Sequence, residues 1–415
     1  MKIAILGYGT VGSAVVQFLL ENQKLIRARC GKNITPVIAL TRTPKKNALI
    51  PITQNIDEIL NAEVDVFVEL MGGVNETFKI VSEILKKKKA VVTANKAMLA
   101  YHRYELENLA KDIAFGYEAS VAGGIPIIKV LKEGLSANNI LTIKGILNGT
   151  SNFILSSMSE KNMSFKQALE KAQNLGYAEA NPSFDIEGQD AAHKLLVLSS
   201  IAYNLKAKPE NILIEGISQI TPEDMYFANE FELTIKLLGI AKVRENKVEL
   251  RVHPTMINKD TMLAKVEGVM NAISINGDLL GESLYYGAGA GGKATASAVI
   301  SDLMDIAKDQ AKTPMLGFVN TLEYKLLDKD EIYTKYYLRM KVEDKIGILS
   351  KITQLMSQND ISIDSFLQKP KKNDENYSTL FFTTHLTYEK SIQNLLKILD
   401  QQDFIKTKPF MMRIE

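Results

Sequence analysis

The sequence predicts an α/β chain in three parts: a doubly wound parallel sheet first, an α+β domain next, and a small ferredoxin-like module last. Three observations predict it. Short, nearly continuous apolar runs alternate with segments of helical period over residues 1–135, and strands buried on both faces have no polar side to show. Helices and strands lengthen over residues 136–325. Residues 335–415 then run β-α-β-β-α-β, the order of a split βαβ module.

In the first part, Lys2–Leu6, Val37–Leu40, Val64–Leu70, Ala90–Thr93 and Ala114–Tyr117 read as strands. Between them, Val11, Ala14, Val15, Phe18 and Leu19 recur at helical spacing, as do Phe78, Val81, Ile84 and Leu85. Strand–helix alternation of this kind points to a doubly wound parallel sheet. The run Lys86–Lys89 resembles a phosphate-binding patch, but it closes a helix, where cations complement the helix dipole. In the second part, Ser164 and Gln167 form a capping box, and an apolar stripe through Ala168, Leu169, Ala172 and Leu175 runs to Gly176. Leu263–Ile275 alternates imperfectly, as antiparallel strands do, and Thr295–Ala307 is helical. The polar stretch Leu326–Lys335 reads as a linker. After it come strand Tyr337–Val342, helix Gly347–Gln358, strands Ile361–Leu367 and Ser378–Leu386, helix Ser391–Asp400 and strand Thr407–Ile414.

Composition narrows the function classes. A chain of 415 residues with 46% hydrophobic and 24% charged residues has the make-up of a core-forming globular protein. Fifty basic against 48 acidic side chains leave a formal charge of +2, so no one-signed field points to nucleic acid or a membrane surface. The single cysteine, Cys30, excludes an internal disulfide and a cysteine-cluster metal site, and fits a reducing cytoplasm. Met1 runs directly into a strand, so no signal peptide is expected, and no apolar run approaches the ~18–20 residues of a membrane helix. Four histidines form no metal constellation, and 15 scattered methionines read as core filling.

The loop Gly7-Tyr8-Gly9-Thr10-Val11-Gly12 follows the first strand and opens an amphipathic helix, which is the context a Rossmann-type dinucleotide site requires. Gly7 allows the tight turn, Gly9 lets the backbone approach a pyrophosphate, and Gly12 brings helix and strand together. The second strand ends in Thr41-Arg42-Thr43, with Lys45 and Lys46 beyond, where an acidic residue would otherwise take the ribose hydroxyls. Arg42 suits a 2′-phosphate through paired charged hydrogen bonds, so NADP(H) is the preferred cofactor and NAD(H) stays open. An ordinary surface arginine competes with that reading, because this loop falls later than the usual spacing.

Asp190 and Lys194 stand four apart on one predicted helix and share a face, while Ala191, Leu195 and Leu198 occupy another. Gly176, Glu179 and Asp185 lie just upstream. On the residues alone, an exposed ion pair explains Asp190 and Lys194 as well as a catalytic dyad does. Lys96 follows Thr93-Ala94-Asn95 at the carboxyl end of a strand, the edge where open α/β sheets bind ligands, but singly it reads equally as a solvated loop lysine.

Gly7–Gly12, Thr93–Lys96, Asn148–Phe153, Gly176–Glu179 and Asp185–Lys194 stand in the order seen in homoserine dehydrogenase, and the chain resembles the long, regulated bacterial members of that family over nearly its whole length. The resemblance implies reversible reduction of L-aspartate 4-semialdehyde to L-homoserine with NADPH. It makes Lys194 the proton donor, with Asp190 positioning it and Lys96 holding the substrate. Glu179, Asp190 and the backbone at Gly176 receive the substrate's amino-acid end, and Asp185 is a further acidic position of that pocket. Thr93, Lys96 and Gly291 join Gly7, Gly9, Thr10, Val11, Gly12 and Arg42 at the cofactor. Glu118, Val121, Gly123 and Ile125 match the family's monovalent cation site, whose oxygen-rich donors suit sodium. The loop Gly287–Lys293 nearly spells a phosphate loop, but Ala294 replaces the hydroxyl that would hold magnesium. It departs from the commoner family pattern at Ala288, Lys293 and Ala294. In the family this loop leads a helix back to the cofactor domain.

Rival readings fail on particular residues. A phosphorylating aldehyde dehydrogenase needs a nucleophilic cysteine in the substrate domain, and Cys30 lies in the cofactor domain. A sensor built on the tail alone needs neither the glycine loop nor Lys194. That tail, residues 335–415, resembles an ACT domain through Leu338–Leu349, in which Gly347 opens the first helix and Ile346 stands where proline is common. The resemblance implies L-threonine as effector, a homodimer or homotetramer, and a tail separable from the chemistry.

Overall fold

The computed structural model describes residues 1–310, 314–322, 324–368 and 377–415. They form two compact units, one of Met1–Gly149, Gln189–Asn211 and Val269–Tyr324, the other of Thr150–Gly188, Ile212–Gly268 and Lys325–Glu415.

The first unit is built on a parallel sheet of β1 (Lys2–Leu6), β2 (Thr35–Leu40), β3 (Ile52–Thr53), β4 (Val66–Glu69), β5 (Ala90–Thr93) and β6 (Phe115–Gly116). Their order is β3-β2-β1-β4-β5-β6, every pair parallel. The five expected strands are present; β3, only two residues long, is too short to carry a periodicity. The order turns back between β1 and β4, which opens a crevice at their carboxyl ends. Ile3, Ala4, Ile5 and Leu6 are completely buried, as a central strand covered on both faces requires. One cover is helix Thr10–Glu21, whose Val15, Val16 and Leu19 pack with Ala296, Val299 and Leu303 of helix Gly292–Ala307. That late helix returns to the parallel sheet, as the family resemblance implies. The unit also holds antiparallel strands Ile140–Ile146, Met270–Gly277 and Gly281–Ala288, and helix Gln189–Tyr203 packed on helix Lys96–Leu109. Leu263–Lys265 is a 3-10 turn rather than part of a strand, which explains the poor alternation there.

In the second unit, strands Leu233–Arg244 and Lys247–Asn258 form a long antiparallel hairpin. Helix Phe165–Asn174 starts with the expected capping box of Ser164 and Gln167. The ferredoxin-like module carries strands Tyr333–Glu343, Ile363–Gln368, Tyr377–Thr384 and Phe410–Ile414 with helices Ile348–Gln358 and Glu389–Asp400. Leu338, Met340, Ile352, Phe382, Ile392 and Leu395 belong to its core.

One expectation is corrected here. Leu326–Lys335 is no linker: Lys325–Leu326 pairs in parallel with Lys247–Val248, Lys329–Glu331 forms a turn capped by Asp328, and Tyr333 already begins a strand. Asp328, Lys329, Asp330 and Glu331 are exposed, while Leu327 N–H pairs with the Val248 carbonyl and Thr334 Oγ1 donates to the Ile414 carbonyl at 2.8 Å. The tail is also joined by its main chain to the hairpin. Arg413 and Ile414 pair in parallel with Thr255 and Met256 of the hairpin, so the module's sheet and the hairpin are one sheet.

Candidate active site

The glycine loop has the geometry a dinucleotide needs. Gly7 adopts φ +112°, and a Cβ there would fall 2.7 Å from the Leu70 carbonyl oxygen. Gly12 packs directly on the Gly7 carbonyl, whereas Gly9 faces open space. The N–H groups of Gly7 and Tyr8 both donate to the Leu40 carbonyl, at 3.2 and 2.9 Å, which pins the loop to β2. Gly9 caps helix Thr10–Glu21 without a side chain, and the first intrahelical bond is from Ser13 N–H to Gly9 at 2.9 Å. The amides of Thr10, Val11 and Gly12 therefore have no acceptor within their helix. A second helix N-terminus arrives beside them: Gly291, at φ +115°, caps helix Gly292–Ala307, and a Cβ on Gly292 would stand 3.1 Å from Thr10 Cγ2. Two positive helix ends thus meet at Thr10, which suits a pyrophosphate. Arg42 is exposed, its carbonyl held by Gln54 Nε2 at 2.7 Å. Lys45 and Lys46 line the groove that runs past Tyr8, Gly9 and Thr10.

Thr93 is fully buried, and its hydroxyl donates to Glu69 Oε2 at 2.5 Å. Glu69 also accepts from the amides of Met71 and Gly72, at 2.7 and 3.3 Å. Burial raises the Glu69 carboxyl above its ordinary range, and these bonds oppose the rise. Sequence reasoning missed Glu69, although a lone carboxylate inside an apolar strand was its signal. Asn95 completes this corner by donating to the Gly73 carbonyl at 2.8 Å and capping helix Lys96–Leu109 through Met98 N–H at 3.0 Å. The corner fixes where that helix begins, and so where Lys96 stands.

Lys96, Asp190 and Lys194 come together in the first unit. Lys194 Nζ donates to Asp190 Oδ2 at 2.7 Å and to the Leu147 carbonyl at 2.6 Å. Lys96 Nζ lies 3.1 Å from the other carboxylate oxygen of Asp190. Asn148 Nδ2 donates to Asp190 at 2.9 Å, and Asn271 Nδ2 donates to the same Leu147 carbonyl at 3.0 Å. Lys194 is only 8% exposed, so the solvated ion-pair reading does not hold. Burial would push the Asp190 carboxyl up, but the two ammonium groups and the bonds from Lys194 and Asn148 hold it well below the usual carboxylate range. Asp190 is favoured in the first turn of its helix, whereas a cation at the start of helix Lys96–Leu109 is opposed by the dipole. Asp190 is what makes Lys96 acceptable there. Burial lowers His193 to about 4, so it is neutral near pH 7 and stacks edge-on with Tyr101.

The expected cation loop begins in the 3-10 turn Glu118–Ser120. Both carboxylate oxygens of Glu118 accept main-chain N–H groups, from Ile128 at 2.8 Å and Lys129 at 2.9 Å. What the loop offers a cation is therefore mainly main-chain carbonyls. Positive φ at Ala122 (52°) and Gly123 (35°) bends it sharply between Val121 and Ile125. This donor set fits a weakly bound monovalent ion, and among the described residues no cluster of three His, Cys, Asp or Glu side chains could hold a metal.

Gly176, Glu179 and Asp185 lie in the second unit. Gly176, at φ +74°, ends the turn after helix Phe165–Asn174, and Gln173 Nε2 holds the carbonyl of the exposed Glu179 at 3.2 Å. Ser151 Oγ donates to the Asp185 carbonyl at 2.9 Å.

Comparison with known proteins shows the family. A family model for homoserine dehydrogenase matches residues 126–304, one for the homoserine dehydrogenase NAD-binding domain matches residues 7–116, and one for the ACT domain matches residues 336–404. A homoserine dehydrogenase of Helicobacter pylori is 53% identical over 418 residues, covering 100% of this chain and 99% of that protein. The solved homoserine dehydrogenase of Thiobacillus denitrificans superposes with a TM-score of 0.92 at 41% identity, covering 100% of this chain and 98% of the other. A hyperthermophilic archaeal homoserine dehydrogenase in complex with NADPH covers 77% of this chain and 98% of its own, with a TM-score of 0.62 at 28% identity. Among the described residues, no helix is long and apolar enough to cross a membrane.

Proposed function

The chain belongs to the homoserine dehydrogenase family, oxidoreductases that act on a CH–OH group with a nicotinamide cofactor, and from that premise we propose that it reduces L-aspartate 4-semialdehyde to L-homoserine with NADPH, reversibly. The observation that carries this reading is the buried Lys194 ammonium, fixed between the Leu147 carbonyl and Asp190. The bound cofactor supplies the hydride. As the aldehyde oxygen gains negative charge, Lys194 stabilises it and delivers the proton. Asp190 keeps Lys194 charged and aimed, and Lys96 adds a second positive charge for holding the substrate. Gly176, Glu179 and Asp185 are assigned by the resemblance to the substrate's amino-acid end, where carboxylates complement an ammonium group.

NADPH preference is supported by Arg42, Lys45 and Lys46 on the side of the loop where NAD enzymes place an acid, and by the NADPH held in the archaeal relative. The Glu118–Ile125 loop is assigned a sodium ion, and the ACT module L-threonine as effector. The chain is assigned to a cytoplasmic homodimer or homotetramer serving threonine, methionine and isoleucine synthesis. The test is the initial rate of NADPH oxidation with aspartate semialdehyde, for the intact enzyme and Lys194→Ala. Turnover should fall at least about a hundredfold in the variant, the low end for a lost general acid, while NADPH fluorescence titration stays unchanged. Near-normal turnover in Lys194→Ala refutes the assignment.

A further inference from the structure

The second unit contains a charge cluster around a buried arginine that the chemistry above does not use, its outer carboxylate, Glu215, being 36% exposed. Arg413 is completely buried. Its Nη1 and Nη2 donate to the two carboxylate oxygens of Glu215 at 2.7 and 3.0 Å, and its Nε and Nη2 donate to Glu389 at 2.8 and 2.6 Å. Glu389 also accepts from Tyr336 Oη and Gln393 Nε2, each at 2.9 Å. Arg413, Glu389 and Tyr336 belong to the ACT module, whereas Glu215 lies ahead of the hairpin. A planar guanidinium held by parallel bonds to two carboxylates fixes both in distance and in orientation.

Glu215 sits on a segment with no slack. Its N–H donates to the Val252 carbonyl at 2.8 Å, and Ile217 N–H donates to the Ile186 carbonyl at 2.9 Å. Gly216 meets the same stretch so closely that a Cβ would lie 2.7 Å from the Ile186 carbonyl oxygen. Gly188, at φ +82°, closes from the other side, with a Cβ position 3.3 Å from the Glu215 carbonyl oxygen. Residues 185–188 therefore rest on residues 214–217, main chain on main chain, and a shift of one is passed to the other.

We propose that Arg413 is a positioning residue for substrate binding: through Glu215 it sets Gly216 and Ile217, and through them the Asp185–Gly188 segment. The proposal rests on the reading that Asp185 belongs to the substrate pocket. It also gives the ACT module a direct hold on that segment, because Arg413 lies on the module's last strand and Glu389 begins its second helix.

Glu215 is the place to cut the connection, since Arg413 keeps Glu389 as partner and the fold is spared an unpaired buried charge. In the full-length enzyme, Glu215→Ala should raise KM for homoserine about tenfold, with kcat changed less than about twofold and NADPH affinity unchanged. Glu215→Gln, which keeps one acceptor, should rise only about threefold, a partial rescue that a merely space-filling role would not produce. Asp185→Ala is measured alongside. A raised KM in Asp185→Ala with none in Glu215→Ala overturns the proposal and leaves the substrate reading standing. No rise in either overturns the substrate reading of Asp185 and the proposal with it. A joint fall of kcat, NADPH affinity and melting temperature in Glu215→Ala makes the residue a general support and overturns the proposal as well.

Discussion

Replacing Asp190 by Asn keeps the shape of the Lys96–Asp190–Lys194 cluster and removes its only negative charge. The carboxylate stands 2.7 Å from Lys194 Nζ and 3.1 Å from Lys96 Nζ, and 6% of its side chain is exposed. At an effective dielectric of about 20, each contact represents roughly 5–6 kcal/mol of gross attraction, most of which is spent on desolvation. Lys96 is 34% exposed, so water screens its share, and Lys194 carries most of the net effect. Breaking such a buried pair costs about 3–5 kcal/mol, and the lower figure applies because the Leu147 carbonyl still accepts from Lys194. That cost is read in the urea unfolding, while kcat should fall roughly a hundredfold because Lys194 loses the carboxylate that orients it as general acid. The assay is steady-state NADPH oxidation, with urea unfolding on the same preparations. The pH dependence gives a second readout. Because the folded carboxyl is held below its unfolded value of about 3.9, its contribution is present above that pH and fades as pH falls below it. Asp190→Asn should therefore lack that acid limb of the stability curve. A variant with kcat within twofold of the parent and an unchanged acid limb refutes the reasoning.

Arg42→Ala should raise KM for NADPH about tenfold and leave NADH kinetics unchanged, with smaller effects from Lys45→Ala and Lys46→Ala, which line the groove past Tyr8 and Gly9; equal changes for both cofactors would refute this source of NADPH preference. His193, lowered by burial to about 4, should make the protein lose stability as pH falls from about 6.5 towards 4, by up to roughly 3 kcal/mol. His193→Gln should flatten that part of the urea-midpoint profile, and an unchanged slope would contradict it. L-Threonine should slow the intact enzyme, whereas a chain ending at Asp330 should fail to give a sharp unfolding transition; a well-folded, active truncation would contradict the shared sheet.

Much of the first unit was legible because its signals are local. A glycine loop between a strand and a helix has few alternative conformations, and the apolar runs of β1, β4 and β5 name their own burial. The catalytic pair was legible only in part. Spacing of four residues put Asp190 and Lys194 on one face, but it could not say whether that face met water. The missed signal is in the flanks: Ala191 and Leu195 line one side of helix Gln189–Tyr203, Ala192 and Leu196 the next, and nearly every residue of the helix is buried. A helix buried on nearly every side has no solvent face to give an ion pair. Lys96 lies 94 positions upstream of its partner carboxylate. That meeting depends on helix packing, which no short-range pattern encodes.

The tail shows the same limit from the other direction. Its β-α-β-β-α-β order was readable, yet its attachment was not, because polar side chains at Lys325–Lys335 conceal a paired main chain. The structure gives the module three separate holds on the rest of the second unit: the strand pairing at Arg413 and Ile414, the Arg413–Glu215 bonds, and Asp224, which accepts from Tyr337 Oη at 2.7 Å and from Arg339 Nε at 2.8 Å. Asp224 is fully buried, and cutting the module away would take the Tyr337 and Arg339 donors from its Oδ1 and leave only Thr221 on its other oxygen; breaking a buried pair of this kind costs about 3–5 kcal/mol. That is a large share of a domain's stability. Deletion therefore tests folding before it tests regulation. A response to an amino acid has to be separated from catalysis by a substitution such as Glu215→Gln, which loosens one hold and leaves the other two.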